Sequence, residues 1–211
     1  MKAARLFFRI AFLLTGLILF NTSCLLAGST ANKYEVYLTQ FQLYNSDTGQ
    51  WVTIYNGSSV TLDIASQSGS GILIGNFLAG LTVPDGNYTK AKATPSTTFV
   101  IRGSTDDLGG PYYTTATTAT DGSGRIASVA TTTAGNIADC TTVMLSTDVV
   151  PPAGGVSFGG TLSVTNGIPN RKVRVYFDLS NALVYVAGGG TGGENIVYPS
   201  APTITMELVS D

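Results

Sequence analysis

Apolar residues in this chain recur at every second position in short runs, and glycine, proline, asparagine and aspartate cut the runs apart. In residues 203–209, Ile204, Met206 and Leu208 alternate with Thr203, Thr205 and Glu207. In residues 173–177, Val173, Val175 and Phe177 alternate with Arg174 and Tyr176. Successive side chains of a strand point to opposite faces, so a period of two marks a half-buried strand. No long stretch carries the 3.6-residue period of a helix, and threonine, valine, isoleucine and tyrosine fill the runs.

The pattern predicts roughly a dozen strands with turns every 8–12 residues, hence an all-β, antiparallel β-sandwich or barrel, of which we expect the sandwich. Residues 33–38 form the first strand. Its phase slips at Gln40, because Phe41 and Leu43 continue the apolar face one residue late, as at a β-bulge. Residues 45–49 read as a hairpin loop with a return strand at 51–55. Residues 60–64 alternate again, and 72–78 are almost continuously apolar. Residues 83–88, with Pro84, Asp85 and Gly86, form the sharpest turn. Strands at 88–93 and 97–102 follow, separated by Pro95, which argues against one continuous central strand. Residues 103–142 are rich in threonine and glycine. They predict an inserted hairpin projecting from the body, with its turn at 121–124 and too few large apolar side chains to bury much. Gly188 to Gly193 read as a flexible loop.

The N-terminus has its own logic. Lys2, Arg5 and Arg9 precede an apolar run over 10–20, and polar Asn21, Thr22 and Ser23 follow. That is the order of a secretory signal peptide, and the run is short of the ~20 residues of a membrane span. Cleavage after Ser29-Thr30-Ala31 fits the small-x-small rule, giving a signal at 1–31 and one domain at 32–211 with its insertion near 103–142. A second exit lies before Cys24, where lipid attachment would anchor the protein; Asn21 stands where such a signal carries an aliphatic residue.

Composition excludes several chemistries. The 211 residues include no histidine, which removes the Ser-His-Asp triad and imidazole metal sites. Two cysteines make neither a thiolate zinc site nor a disulfide scaffold, and Cys140 reads as a buried small apolar residue, with a bridge to a retained Cys24 or to another chain as the alternatives. Eleven Lys and Arg against thirteen Asp and Glu argue against nucleic acid. Losing residues 1–31 removes three bases and no acid, so the mature chain is more acidic still, which disfavours anionic partners.

Few residues invite a site. Asp106 and Asp107 are adjacent carboxylates in a glycine-rich loop and read as a solvated tip; Glu35 and Glu207 fall on outward strand positions. Asp106, Asp107 and Asp121 offer oxygens to calcium but lack the spacing of a calcium loop. The Gly188–Gly193 run is followed by Glu194 and Asn195 instead of the lysine and helix of a phosphate loop. No catalytic residue, metal or cofactor is expected. Trp51, Tyr55, Tyr88, Tyr112 and Tyr113 are the candidate stacking face for a sugar or other ligand, against the plainer reading of core and half-buried strand aromatics.

Several segments within residues 34–102 carry a resemblance. They are Val36-Tyr37-Leu38, Phe41-Gln42-Leu43, Gly49-Gln50-Trp51-Val52-Thr53, Leu62-Asp63-Ile64-Ala65 and Pro84-Asp85-Gly86-Asn87-Tyr88-Thr89-Lys90. Together they resemble an uncharacterised family of exported prokaryotic β-sandwich domains, with a Trp-Val strand, an Asp-Leu strand and a Pro-x-Gly-x-Tyr turn. The resemblance implies export and an all-β domain and brings no catalytic residues. The expectation is therefore a secreted or cell-surface structural or adhesive protein, not an enzyme. Its partners would be further copies of itself in a filament, or surface glycans. Residues 203–209 or 33–38 would be the strand donated to a neighbour's sheet. The alternative is a carbohydrate- or ligand-binding module.

Overall fold

The alternating runs become strands, and short segments rich in glycine, proline and small polar residues join many of them. The computed structural model describes residues 29–67, 72–73, 82–106 and 110–210. Most of the signal segment with Cys24, the later part of the apolar run at 72–78, and Asp107 lie outside the described residues. In chain order the strands are β1 (Ser29–Asn45), β2 (Gln50–Asp63), β3 (Ile72–Leu73), β4 (Gly86–Thr105), β5 (Tyr112–Thr120), β6 (Ile126–Thr131) and β7 (Cys140–Val143). They continue with β8 (Val156–Thr165), β9 (Ile168–Pro169), β10 (Lys172–Asp178), β11 (Leu183–Val186), β12 (Ile196–Pro199) and β13 (Thr203–Val209). Among the described residues, helix is limited to 3-10 turns at Ala65–Gln67 and Ala134–Asn136, and no helix is long and apolar enough to cross a membrane.

The fold is all-β, and the strand pairings are antiparallel. The larger sheet runs β11-β12-β6-β5-β4-β1-β2, with β7 joining β4 to β6 and β8 pairing with β4. The smaller sheet is β13-β10-β3. β4 is the spine: β1 lies along one side, and β8, β7 and β5 share the other in succession.

Two core clusters form on one face of β1. Tyr34 and Val36 meet Ile64, Phe99, Ile101, Leu183 and Val197 in the first. Phe41 and Leu43 meet Tyr88, Ala91, Phe158, Leu162 and, from the smaller sheet, Val173 in the second. The expected slip at Gln40 is present: the register shifts between Leu38 and Gln40 against both β2 and β4. Without it Phe41 and Leu43 would turn to the opposite face. Burying a side chain such as Ile101 stabilises the fold by about 2 kcal/mol relative to leaving it in water. Cys140 is buried in the first cluster as a free thiol, and burial pushes its ionisation up despite a hydrogen bond with Ser128.

Two expectations change. β4 is one strand of 20 residues, not two split at Pro95. Pro95 sits between Ala91, the last partner of β8, and Thr98, the first partner of β7, where no strand on that side requires its missing N–H. The threonine-rich hairpin forms about the expected turn but does not project. β5 pairs with β4, and β6 pairs with β12 and β7, so the hairpin lies inside the larger sheet. Small polar residues suffice there because their hydroxyls bond to backbone. Buried Thr114 accepts the Gly103 N–H and donates to the Ala138 carbonyl, and buried Ser128 donates to the Thr115 carbonyl while accepting its N–H.

The chain start also joins the larger sheet. Ser29, Thr30 and Ala31 pair with Thr105, Ser104 and Gly103. The Ser29 hydroxyl donates to the Leu179 carbonyl and accepts the Leu183 N–H, both at 3.1 Å. A domain boundary after Ala31 would strip residues that belong to the sheet.

Candidate functional site

The five aromatic residues singled out from the sequence do not share a surface. Tyr88 is fully buried, its hydroxyl donating to the Pro84 carbonyl at 2.8 Å. Tyr55 pairs with Phe41 on the inner face and packs on the second core. Tyr112 stacks on Tyr185 with ring centroids 3.7 Å apart and packs on the first core. Tyr113 pairs with Ser104, at the far end of β4 from Lys90. Alternation alone could not reveal this, because it says which residues share a face of one strand and not which strands are neighbours.

Trp51 remains, and the register surrounds it with residues the sequence reading missed. Tyr44 of β1 pairs with Trp51 of β2 and Lys90 of β4; Gln42 pairs with Thr53 and Lys92. Buried Phe41, Leu43 and Ala91 point inward, so these six side chains occupy the opposite, outer face. They form two cross-strand rows: lysine–tyrosine–tryptophan, and lysine–glutamine–threonine. Tyr44 and Trp51 meet edge-on at 5.3 Å. The Lys92 ammonium lies 4.3 Å from the Trp51 ring centroid, and that of Lys90 lies 5.4 Å from the Tyr44 ring. Gln42 donates to the Thr53 hydroxyl at 3.1 Å. The period of two in 42–44, 51–53 and 90–92 was legible; the adjacency of β1 to β4 was not.

Gly155, before β8, closes the rim. Its φ is +64°, and a Cβ there would stand 2.5 Å from the Trp51 ring and 2.7 Å from the Ala91 carbonyl oxygen. Glycine is what lets this backbone lie against the tryptophan.

Electrostatics distinguish this face from the rest of a net-acidic chain. Among the described residues neither Lys90 nor Lys92 has a carboxylate within ion-pair distance. Three acids that flank these strands and the rim are turned elsewhere, Asp85 accepting the Gly167 N–H at 2.9 Å. Asp47 accepts from the backbone and side chain of Asn87, and Asp148 accepts the Leu145 N–H and lies 3.9 Å from Arg125. A cation over an aromatic ring at a half-exposed site is worth about 0.5–1 kcal/mol, too little to neutralise it. The ammonium donors remain available to an anion.

The other candidates are occupied by the chain itself. Asp121 Oδ1 accepts the Ser123 and Arg125 N–H groups, and Oδ2 accepts Arg125 Nε at 2.6 Å. Its burial would raise the carboxyl pKa, but these hydrogen bonds and the guanidinium charge outweigh that and hold it below the ordinary range. This carboxylate organises the hairpin turn and is not arranged for calcium. The Gly188–Gly193 loop is tied down, not loose: Gly192 N–H donates to Glu194 Oε2, Gly188 N–H to Asn195 Oδ1, and Thr191 N–H to the Thr120 carbonyl. Those amides are already used, and the last of them docks the loop on the hairpin tip. Asp106 lies just past the end of β4 and is exposed. A cavity of about 390 Å³ lies between the sheets, bounded by residues such as Phe99, Met144, Phe177 and Ile204. Its lining is mostly hydrocarbon, with Lys92, Asp148 and Ser200 among its polar members.

Comparison with family models, curated proteins and solved structures gave no match.

Proposed function

We propose that this is an exported, non-enzymatic structural or adhesive protein of the cell surface, and that copies associate through the free edge of β2. One observation carries the reading. β2 pairs along one side with β1 and, among the described residues, with no strand on its other side. Over its 14 residues it holds no lysine, arginine or proline, and its one charge, Asp63, is terminal. A row of unpaired N–H and C=O groups is a template for another strand, and exposed edges are normally guarded by such residues. The register jump from Asn56 to Val60 makes Gly57–Ser59 a bulge, leaving 50–56 as the usable stretch.

This moves strand addition away from a donated terminal strand. Residues 33–38 lie in β1, hydrogen-bonded on both sides, and their release would break two ladders. Residues 203–209 form β13, paired with β10 over all seven positions. Its other edge is unpaired among the described residues. A contact between two β2 edges about a two-fold axis closes a dimer; a second contact at β13 extends dimers into a filament. Export is supported by the basic-then-apolar N-terminus, and a non-catalytic role by a chain without histidine.

The test is light scattering and electron microscopy on the purified protein and on a Gln50→Lys, Asn56→Lys variant, both positions being exposed and within the 50–56 stretch. Dimers or fibres in the parent and monomers in the variant, with unchanged circular dichroism, are expected. A parent monomeric at all concentrations, or a variant that assembles equally well, overturns the reading. A second reading, glycan binding, is favoured by the two rows of side chains around Trp51.

A further inference from the structure

We propose that the outer face built by Trp51, Tyr44, Gln42, Thr53, Lys90 and Lys92 binds a carboxylated saccharide, a chain of uronic-acid units. The inference deepens the adhesive, glycan-binding reading by naming the partner's chemistry and the residues that recognise it. Sugar rings carry apolar C–H faces and a rim of hydroxyls; an aromatic ring meets the first, and amide and hydroxyl side chains meet the second. Trp51 and Tyr44 supply the rings, and Gln42 and Thr53, already bonded to each other at 3.1 Å, supply the polar pair beside them.

The lysines select the charge. Lys90 and Lys92 are two residues apart on one strand, so their Cα atoms are separated by two rises of about 3.3 Å and both side chains take the same face. Each lies over an aromatic ring and, among the described residues, has no carboxylate partner. A carboxylate on a ring stacked at Trp51 pairs with Lys92, and one on the neighbouring unit reaches Lys90. Two cations match the carboxylates of two adjacent units, since every uronic-acid unit carries one charge. A nucleic acid backbone, with a charge on every phosphate, needs a broader basic surface than this net-acidic chain presents.

Trp51 is the sole tryptophan, so intrinsic fluorescence reports on this face alone. The experiment titrates the full exported protein with polygalacturonate, neutral dextran and polyglutamate. The expected result is a saturable change in emission with polygalacturonate only, weakened by salt. Lys90→Gln with Lys92→Gln should weaken binding at least tenfold, and Trp51→Ala, followed by calorimetry, about as much. Tyr113→Ala should bind as the parent does. Should Trp51→Ala fail to fold, the lysine pair decides alone. No response to polygalacturonate, equal affinity for polyglutamate, or undiminished binding by the lysine variant overturns the proposal. Binding is read on monomer and oligomer alike. A parent protein that assembles but does not bind polygalacturonate refutes this site alone, and a parent that binds as a monomer refutes only the β2 contact.

Discussion

At the scale of residues, the side chains that matter are those whose polar atoms are spoken for by the chain itself. Asp121 shows how this governs stability. Its carboxyl titrates below the ordinary value of 3.8 in the folded protein because Arg125 and two backbone N–H groups favour the charged form. A depressed folded pKa contributes stability in full above the unfolded value, and the contribution is lost as pH falls through the folded one. Asp121→Asn, which places an amide against the guanidinium, should therefore cost about 2 kcal/mol at pH 7. The difference from the parent should shrink in denaturant unfolding as the pH is lowered below 3.8 and through the carboxyl's folded value. A gap that stays constant with pH would show that the carboxylate charge is not what holds the turn. The Asp-Gly-Ser-Gly turn was legible in sequence; that Arg125 would fold back on it was not, because a side chain's reach depends on where β6 lays it.

At the scale of elements, alternation located most strands but misjudged their company. The second half of the chain, the β1 bulge and the hairpin loops all follow from a period of two and from turn chemistry. β4 does not, because the tolerance of Pro95 depends on the gap between two strands far away in sequence. Gly103 makes the same point. It pairs with Ala31, and a Cβ there would run into the Thr30 carbonyl oxygen and come within 2.7 Å of Leu183 Cδ1. Gly103→Ala should cost about 3 kcal/mol by chemical denaturation, since backbone cannot give way as a flexible side chain does. A loss below about 0.5 kcal/mol would mean that β1 does not approach β4 so closely. Nothing in the local sequence distinguishes this glycine from those with open space around them, such as Gly122 and Gly124.

At the scale of the whole molecule, the chain start is pinned to a distant loop. Ser29 donates its N–H to the Ser180 carbonyl at 2.6 Å, and its hydroxyl bridges Leu179 and Leu183. Processing after Ala31 would remove those bonds, each worth about 1 kcal/mol, with three residues of β1 ladder. Intact mass of the exported protein should show an N-terminus at or before Ser29, and an acylated Cys24 would appear in the same spectrum. A start at Asn32 would refute this. By itself the sequence determined the strand class, the turns, the bulge that keeps β1's apolar residues on one face, and the exclusion of histidine-based chemistry, because these depend on local period and residue type. Only the tertiary structure decided which aromatic side chains meet, where the two lysines lie relative to Trp51, and which strand edge is left open among the described residues. Each of those is a contact between segments distant along the chain, and local pattern carries no information about which strand becomes another's neighbour.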